Sequence, residues 1–82
     1  EKQLFYDSKT MLQELIQNKY KQSLHYVVLS EDGPDHNKIF TVQAYMDDTP
    51  LLTGKGRTKK SAEQNAAYQS LLKFARDEKA SE

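Results

Sequence analysis

The sequence predicts an α+β fold in which two helices cover one face of a three-stranded antiparallel sheet. The apolar residues follow a helical period near the start of the chain, alternate in its middle, and return to a helical period near its end. A chain of 82 residues, of which 37% are hydrophobic, is rich enough in apolar groups for one domain and too short for two. A sheet with one polar face needs cover on its other face, which two amphipathic helices can supply. The expected element order is α-β-β-β-α.

The first helix is predicted over residues 7–18. Its apolar positions recur at the i, i+3, i+4 spacing of one helical face, and they are Leu12, Leu15 and Ile16. Asp7 or Ser8 can accept hydrogen bonds from the free N–H groups of the first turn.

Two half-buried strands are predicted from Tyr26 to Ser30 and from Ile39 to Met46. Both segments are rich in β-branched and aromatic residues, and apolar and polar side chains alternate in the second. Residues 47–50, "DDTP", have the composition of a turn. A third strand then follows by hairpin from Leu51 to Thr53.

The second helix is predicted after Gly54 and Gly56, which are expected to relax the backbone, and Thr58 is expected to cap it. Its apolar stripe is small at the start and bulky at the end, and consists of Ala62, Ala66, Ala67, Ser70, Leu71 and Phe74. The small residues would let this helix lie close against the sheet.

Composition excludes several classes of protein. Without Cys, the chain has neither a disulfide framework nor a cysteine-based metal site, and a cytosolic setting fits best. The longest hydrophobic run, Tyr26 to Leu29, is far below the roughly 18 residues that span a bilayer. The two His residues lack the spacing of a zinc site, so we expect no metal and no independent active site. Both ends of the chain are polar and are expected to be linker or tail.

A cluster of positive charge stands where the second helix begins, in a chain whose formal net charge is zero. Its members are Lys55, Arg57, Lys59 and Lys60. If Thr58 caps the helix, the helix dipole disfavours Lys59 and Lys60 by about 0.3–1 kcal/mol each. A bound anion would make this arrangement favourable, because the free N–H groups, the helix dipole and the two ammonium groups would all attract a phosphate. A solvated pair of lysines is the alternative interpretation of this stretch alone.

The first helix has a polar sector opposite its apolar face. Its members, which mostly carry uncharged groups that both donate and accept hydrogen bonds, are Thr10, Gln13, Glu14 and Gln17. Such groups suit the 2′-hydroxyls and base edges in the shallow minor groove of A-form RNA. Any amphipathic helix has a polar side, however, and alone this face is explained by solvation.

The segment "EDGPDHNK", residues 31–38, lies between the first two strands. Gly33-Pro34 favours a turn, and His36, Asn37 and Lys38 would project from its tip as donors that could enter a groove. An ordinary hairpin turn is the alternative, and the acidic residues of this segment do not favour nucleic acid.

Taken together, three blocks of sequence resemble the double-stranded-RNA-binding domain, and among its members the C-terminal domain of bacterial ribonuclease III. The blocks are "DSKTMLQELIQ", "GPDHNKIFTVQAY" and "GKGRTKKSAEQNAAYQSLLKF", in the family's order and spacing between Asp7 and Phe74. The resemblance implies that the first helix and the first inter-strand loop enter successive minor grooves of an RNA duplex. It also implies that the start of the second helix meets the phosphates between them.

Carried over by position, the resemblance implies twelve RNA-binding residues. Those for the first minor groove are Thr10, Gln13, Glu14 and Gln17; those for the second are Gly33, Pro34, His36, Asn37 and Lys38; those for phosphates are Arg57, Lys59 and Lys60. The chain departs from the family at two places. Many members carry a third Lys where this chain has Glu63, and many have a Pro before the first strand, where it has Leu24, His25 and Tyr26.

The resemblance also implies a parent protein. Ribonuclease III is a magnesium-dependent endonuclease that hydrolyses double-stranded RNA, acts in RNA processing that includes rRNA processing, is cytoplasmic, and forms a homodimer through its nuclease domain. Residues 1–6 would then be a linker from a missing upstream domain, residues 7–75 the RNA-binding domain, and residues 76–82 a polar tail. Since nothing here resembles the acidic nuclease motif, we expect this chain to bind double-stranded RNA, with no membrane partner and no cofactor of its own, without cutting it. The alternative is a non-catalytic adaptor or protein-pairing domain of a regulatory factor.

Overall fold

The computed structural model describes residues 7–80, with side chains as far as Asp77. The elements are helix α1 (Ser8–Leu15), strands β1 (Leu24–Asp32), β2 (Ile39–Met46) and β3 (Thr49–Gly56), and helix α2 (Lys59–Ala80). The predicted α-β-β-β-α order is confirmed. In the described part of the chain, neither helix is both long and apolar enough to cross a membrane.

The three strands form one antiparallel sheet in the order β1-β2-β3. β2 occupies its predicted range and is the central strand, and its predicted alternation places Val42 and Ala44 at 0% exposure. β1 is longer than predicted because its pairing with β2 runs from Leu24 opposite Met46 to Asp32 opposite Ile39. The helices lie on the face of the sheet that carries the buried β2 side chains.

The core lies where the two helices meet the sheet. Leu12 and Ile16 of α1 and Ala67 of α2 are fully buried at its centre. The partly buried residues that pack around them are Leu15, Leu24, Tyr26, Met46, Leu51, Leu71 and Phe74. The stripe predicted for the second helix therefore faces the core.

The prediction that Gly54 and Gly56 relax the backbone was wrong, because both belong to β3 and pair with β2. A Cβ atom on Gly54 would overlap the backbone N of Ala66, and one on Gly56 would overlap the Ser61 Oγ. Glycine is therefore needed here for close approach of the helix to the strand.

The end of the sheet that carries the β2–β3 turn is tied to the chain that follows α1. After α1 the chain makes a π-helical turn, Ile16–Tyr20. The N–H of Ser23 then donates to Asp47 Oδ1 at 2.9 Å, and the N–H of Asp47 donates to the Ser23 carbonyl at 2.8 Å. Asp47 has a φ of 51°, a left-handed conformation that Asp tolerates in turns. The turn is shorter than predicted from "DDTP", because β3 begins at Thr49, and Asp47 within it also anchors the start of β1.

Helix α2 continues beyond residue 75, the predicted end of the domain. The predicted tail overlaps it as far as Ala80, and an ion pair of 3.2 Å between Lys73 and Asp77 supports this part of the helix. The predicted linker, residues 1–6, and the last two residues of the tail lie outside the described residues.

Candidate nucleic-acid interface

The fold brings the starts of both helices and the β1–β2 loop to one end of the sheet. Asp32 pairs with Ile39, so the loop between β1 and β2 lies at this end. Phe40 pairs with Gly56, which places the end of β3, and hence the start of α2, beside that loop. In the first turn of α1, Lys9 contacts Glu63 of α2, so the two helices begin side by side. Segments far apart in the sequence therefore share one region of the surface.

The start of α2 is capped by two side chains that exchange hydrogen bonds. Thr58 Oγ1 accepts from the N–H of Ser61 at 3.0 Å, and Ser61 Oγ accepts from the N–H of Thr58 at 3.2 Å. This is a capping box with Ser in the place of the usual Glu or Gln. The predicted cap at Thr58 is confirmed, and it places Lys59 and Lys60 at the first two helical positions.

The predicted cationic cluster is exposed. Its side chains, Lys55, Arg57, Lys59 and Lys60, all lie on the surface, and no acidic side chain among the described residues pairs with any of them. The backbone N–H groups of Lys59 and Lys60 likewise have no acceptor among the described residues. Free N–H groups and unpaired cations at a helix start are complementary to a phosphate.

Helix α1 presents the predicted polar face. The side chains on that face, Thr10, Gln13, Glu14 and Gln17, are all exposed, whereas Leu12 and Ile16 on the opposite face are 0% exposed. Gln17 lies in the π-helical turn and the other three in α1. The face is available to a ligand, and its contacts with RNA remain a prediction.

The β1–β2 loop contains a short turn closed by its own backbone. Gly33 has a φ of 99°, and a Cβ there would lie 2.6 Å from the carbonyl oxygen of Asn37. The N–H of Asn37 donates to the Pro34 carbonyl at 2.9 Å and closes a short 3₁₀ turn, Asp35–Asn37. The turn expected at Gly33-Pro34 is confirmed, and His36 and Asn37 are exposed on it.

Lys38 does not project from the loop tip, and that part of the prediction was wrong. Its ammonium group lies 3.4 Å from Glu31 Oε1 and 3.7 Å from Asp35 Oδ1. The carboxylates of Glu31, in β1, and Asp35, in the 3₁₀ turn, attract the cation back onto its own segment. The acidic content of this loop therefore compensates Lys38 directly.

Comparison with known proteins gives the domain its family. Residues 8–74 match the double-stranded RNA binding motif. The chain belongs to this family. Its double-stranded RNA binding motif is similar to part of Ribonuclease 3 from Aster yellows witches'-broom phytoplasma (strain AYWB), with 47% identity over 70 residues, which is 85% of this chain and 29% of that protein.

Two further relatives have the same name. Ribonuclease 3 from Carboxydothermus hydrogenoformans is 48% identical over 69 residues, which cover 84% of this chain and 29% of that protein. Ribonuclease 3 from Helicobacter pylori (strain P12) is 48% identical over 71 residues, which cover 87% of this chain and 30% of that protein. The chain thus spans less than a third of the length of these relatives.

Sequence reasoning missed one feature of this double-stranded RNA binding motif, an ion pair between the two helices. Lys9 Nζ lies 2.6 Å from Glu63 Oε1, and the Lys9 backbone N–H donates to Gln64 Oε1 at 3.4 Å. Lys9 Nζ also lies 5.4 Å from the centroid of the Tyr26 ring. The departure from the family at Glu63 gave a signal, but nothing in the sequence identified Lys9 as its partner.

The hydroxyl of Tyr26 belongs to the ring that lies beside this ion pair. It is buried and has no hydrogen-bond partner among the described residues. Burial raises the pKa of Tyr26 well above its ordinary value, and the negative charge of Glu63 raises it further, because both disfavour the phenolate.

Proposed function

We propose that this chain binds double-stranded RNA as the RNA-gripping domain of a ribonuclease III. The observation that carries the proposal is that the start of α1, the β1–β2 loop and the cationic start of α2 lie at one end of the fold. Membership of the double-stranded RNA binding motif family supports it.

Each of the three segments suits a different part of an A-form duplex. The hydroxyl and amides of the α1 face exchange hydrogen bonds with 2′-hydroxyls, which are donors and acceptors, in one minor groove. His36 and Asn37 on the β1–β2 loop enter a second minor groove. Lys59 and Lys60, with Arg57, hold the phosphates between the two grooves. Recognition then depends on the shape of the duplex more than on its sequence, because the deep major groove of A-form RNA hides the base edges.

Cleavage is assigned to the parent protein and not to this chain. Among the described residues, no group of three or more His, Cys, Asp or Glu side chains could hold a metal ion. We assign the magnesium-dependent hydrolysis, the homodimer contact, the part in rRNA processing and the cytoplasmic location to a ribonuclease III that includes an upstream nuclease domain. The relatives named Ribonuclease 3 favour this function over a non-catalytic adaptor.

Binding to matched nucleic acids tests the proposal. A duplex RNA of about 20 bp exceeds the roughly 16 bp that such a domain spans. It is compared with duplex DNA and single-stranded RNA of the same sequence and length, at about 0.15 M salt, where the Debye length is about 8 Å. We expect the RNA duplex to bind well ahead of both. Equal affinity for RNA and DNA duplexes would contradict recognition through 2′-hydroxyls and groove shape.

Cleavage is tested with the same RNA duplex. In the presence of magnesium, the purified 82 residues should leave it intact, whereas a longer chain that includes the upstream domain should cut it. Metal-dependent cutting by the purified chain alone would overturn the assignment.

A further inference from the structure

The ion pair between Lys9 and Glu63 lies one helical turn from the lysines assigned to phosphates. Glu63 follows Lys59 by four residues and Lys60 by three, so all three side chains lie on neighbouring parts of the α2 surface. A Glu at this spacing is well placed to pair with either lysine. Such a pair would neutralise a cation that the proposed function needs.

In the structure, Glu63 pairs across the helix interface instead. Its carboxylate lies 2.6 Å from Lys9 Nζ, a short, charge-assisted contact, and the side chains of Lys9 and Glu63 are 35% and 26% exposed. Lys59 and Lys60 have no ion-pair partner among the described residues. The choice of Lys9 as the partner leaves both lysines uncompensated.

Two neighbours, Gln64 and Tyr26, hold Lys9 in place for its contact with Glu63. Its backbone N–H donates to Gln64, a side chain that is only 8% exposed. Its ammonium group lies near the face of the Tyr26 ring, where the ring quadrupole attracts a cation. Lys9 is therefore fixed by α1, α2 and β1 together, whereas Lys59 and Lys60 extend into solvent.

We infer that Lys9 is a positioning residue for phosphate binding: by holding Glu63, it keeps that carboxylate from neutralising Lys59 and Lys60. This inference rests on the proposed function. Lys9 acts through Glu63 and makes no contact with RNA itself. Without Lys9, the Glu63 carboxylate would pair with Lys59 or Lys60.

The inference predicts unequal effects for the two halves of one ion pair. Lys9→Gln releases Glu63, so duplex RNA affinity should fall on the order of fivefold at about 0.15 M salt. The slope of log K against log salt should flatten by about 0.7–0.9, the equivalent of one phosphate contact. Glu63→Gln should leave affinity and slope at or slightly above those of the natural protein. The double variant, with both substitutions, should recover the natural slope, because no carboxylate remains to be released.

Controls separate this mechanism from removal of charge and from unfolding. Lys73→Gln removes the same single charge from another ion pair of α2, about 20 Å along the helix from Lys59 at about 1.5 Å per residue, and should leave the slope unchanged. Lys9→Arg retains the cation and should behave as the natural protein. Thermal melts of every variant show whether it is folded at the binding temperature; a merely structural pair would lower the Tm in both single variants and leave the slope unchanged.

The outcomes distinguish failure of the proposed RNA binding from failure of the role inferred for Lys9. If the natural protein does not prefer duplex RNA, the proposed function fails. If it does, but the double variant retains the weak binding and flat slope of Lys9→Gln, Lys9 contacts phosphate directly and the inference is wrong. If Glu63→Gln binds as weakly as Lys9→Gln, or all variants share one slope, the inference is likewise wrong. If Lys9→Gln does not fold, the RNA affinity and salt slope of the double variant are compared with those of Glu63→Gln. Weaker binding by the double variant would show that Lys9 contacts phosphate directly, and the inference would be wrong.

Discussion

Thr58 and Ser61 each accept a hydrogen bond from the backbone N–H of the other, at 3.0 and 3.2 Å. This exchange fixes where α2 begins. It also leaves the N–H groups of the two residues between them, Lys59 and Lys60, without an acceptor among the described residues. The cap thus stabilises the helix and exposes its positive end in the same place.

Thr58→Ala should destabilise the domain by about 1 kcal/mol, within the range of about 0.5–2 kcal/mol seen when a capping side chain is removed. Urea unfolding of the variant measures this change. Thr58→Ser is the matched control, because it retains a hydroxyl oxygen and should unfold at nearly the natural midpoint. Equal destabilisation in both variants would show that the Thr58 methyl group, and not the cap, matters.

Replacing both Lys59 and Lys60 with Ala should weaken RNA binding about equally across RNA sequences. It should flatten the salt dependence by roughly 0.7–0.9 slope units for each phosphate that is no longer neutralised. Folding stability should stay level or rise by some tenths of a kcal/mol, because two cations leave the positive end of a helix dipole. Binding titrations at several salt concentrations and a thermal melt measure both effects. Earlier melting with an unchanged salt slope would instead assign these lysines to the fold.

Lys38→Gln should change the salt slope much less than Lys59→Ala does, because the Lys38 ammonium group is already compensated by Glu31 and Asp35. The same titrations of the two single variants compare the two positions. Asn37→Ala tests the exposed part of the same loop and should lower RNA affinity more than Lys38→Gln. If Lys38→Gln flattens the slope as much as Lys59→Ala does, the ion pairs of Lys38 open when RNA binds.

Tyr26→Phe should stabilise the domain at neutral pH by about 1 kcal/mol, because it removes a buried hydroxyl that has no partner among the described residues. It should also change the stability at alkaline pH. The folded-state pKa of Tyr26 is raised, so the unfolded chain loses the phenol proton at lower pH than the folded protein does. The free energy of unfolding of the natural protein is therefore unaffected by this group below the unfolded pKa of about 10, and it falls as pH rises above that value.

Urea unfolding of the natural protein and of Tyr26→Phe between neutral pH and about pH 11 gives the difference that belongs to this hydroxyl. The stability advantage of Phe should grow above about pH 10. A constant difference across that range would mean that the hydroxyl titrates equally in the folded and unfolded protein.

The regular elements could be predicted because their side chains repeat with the period of the structure. Val42 and Ala44 alternate with polar neighbours, and both are buried. The glycines of β3 show the limit of this reasoning. In the sequence, Gly54 lies shortly before a predicted helix start, where a glycine is typical of a connection. Only the packed fold shows that a Cβ atom on Gly54 would overlap the backbone of Ala66.

The charged groups were predicted less well because their partners depend on the tertiary structure. Lys9 and Glu63 lie on different helices, and each alone is ordinary for a solvated helix face. The direction of Lys38 depends on whether solvent or the carboxylates beside it attract the ammonium group more strongly. The exposure of Lys59 and Lys60 was predictable because the capping motif at Thr58 is local.

The uncompensated cations at the start of α2 form a local positive patch on a domain whose formal net charge is zero. At distances beyond a Debye length, about 8 Å at physiological salt, a neutral molecule gains little attraction to an RNA duplex. Screening confines the field of this patch to short distances, so most collisions in other orientations should separate without binding. The association rate constant of the isolated domain should therefore lie well below that of a domain with the same contacts and a positive net charge. Stopped-flow mixing with duplex RNA would measure this rate.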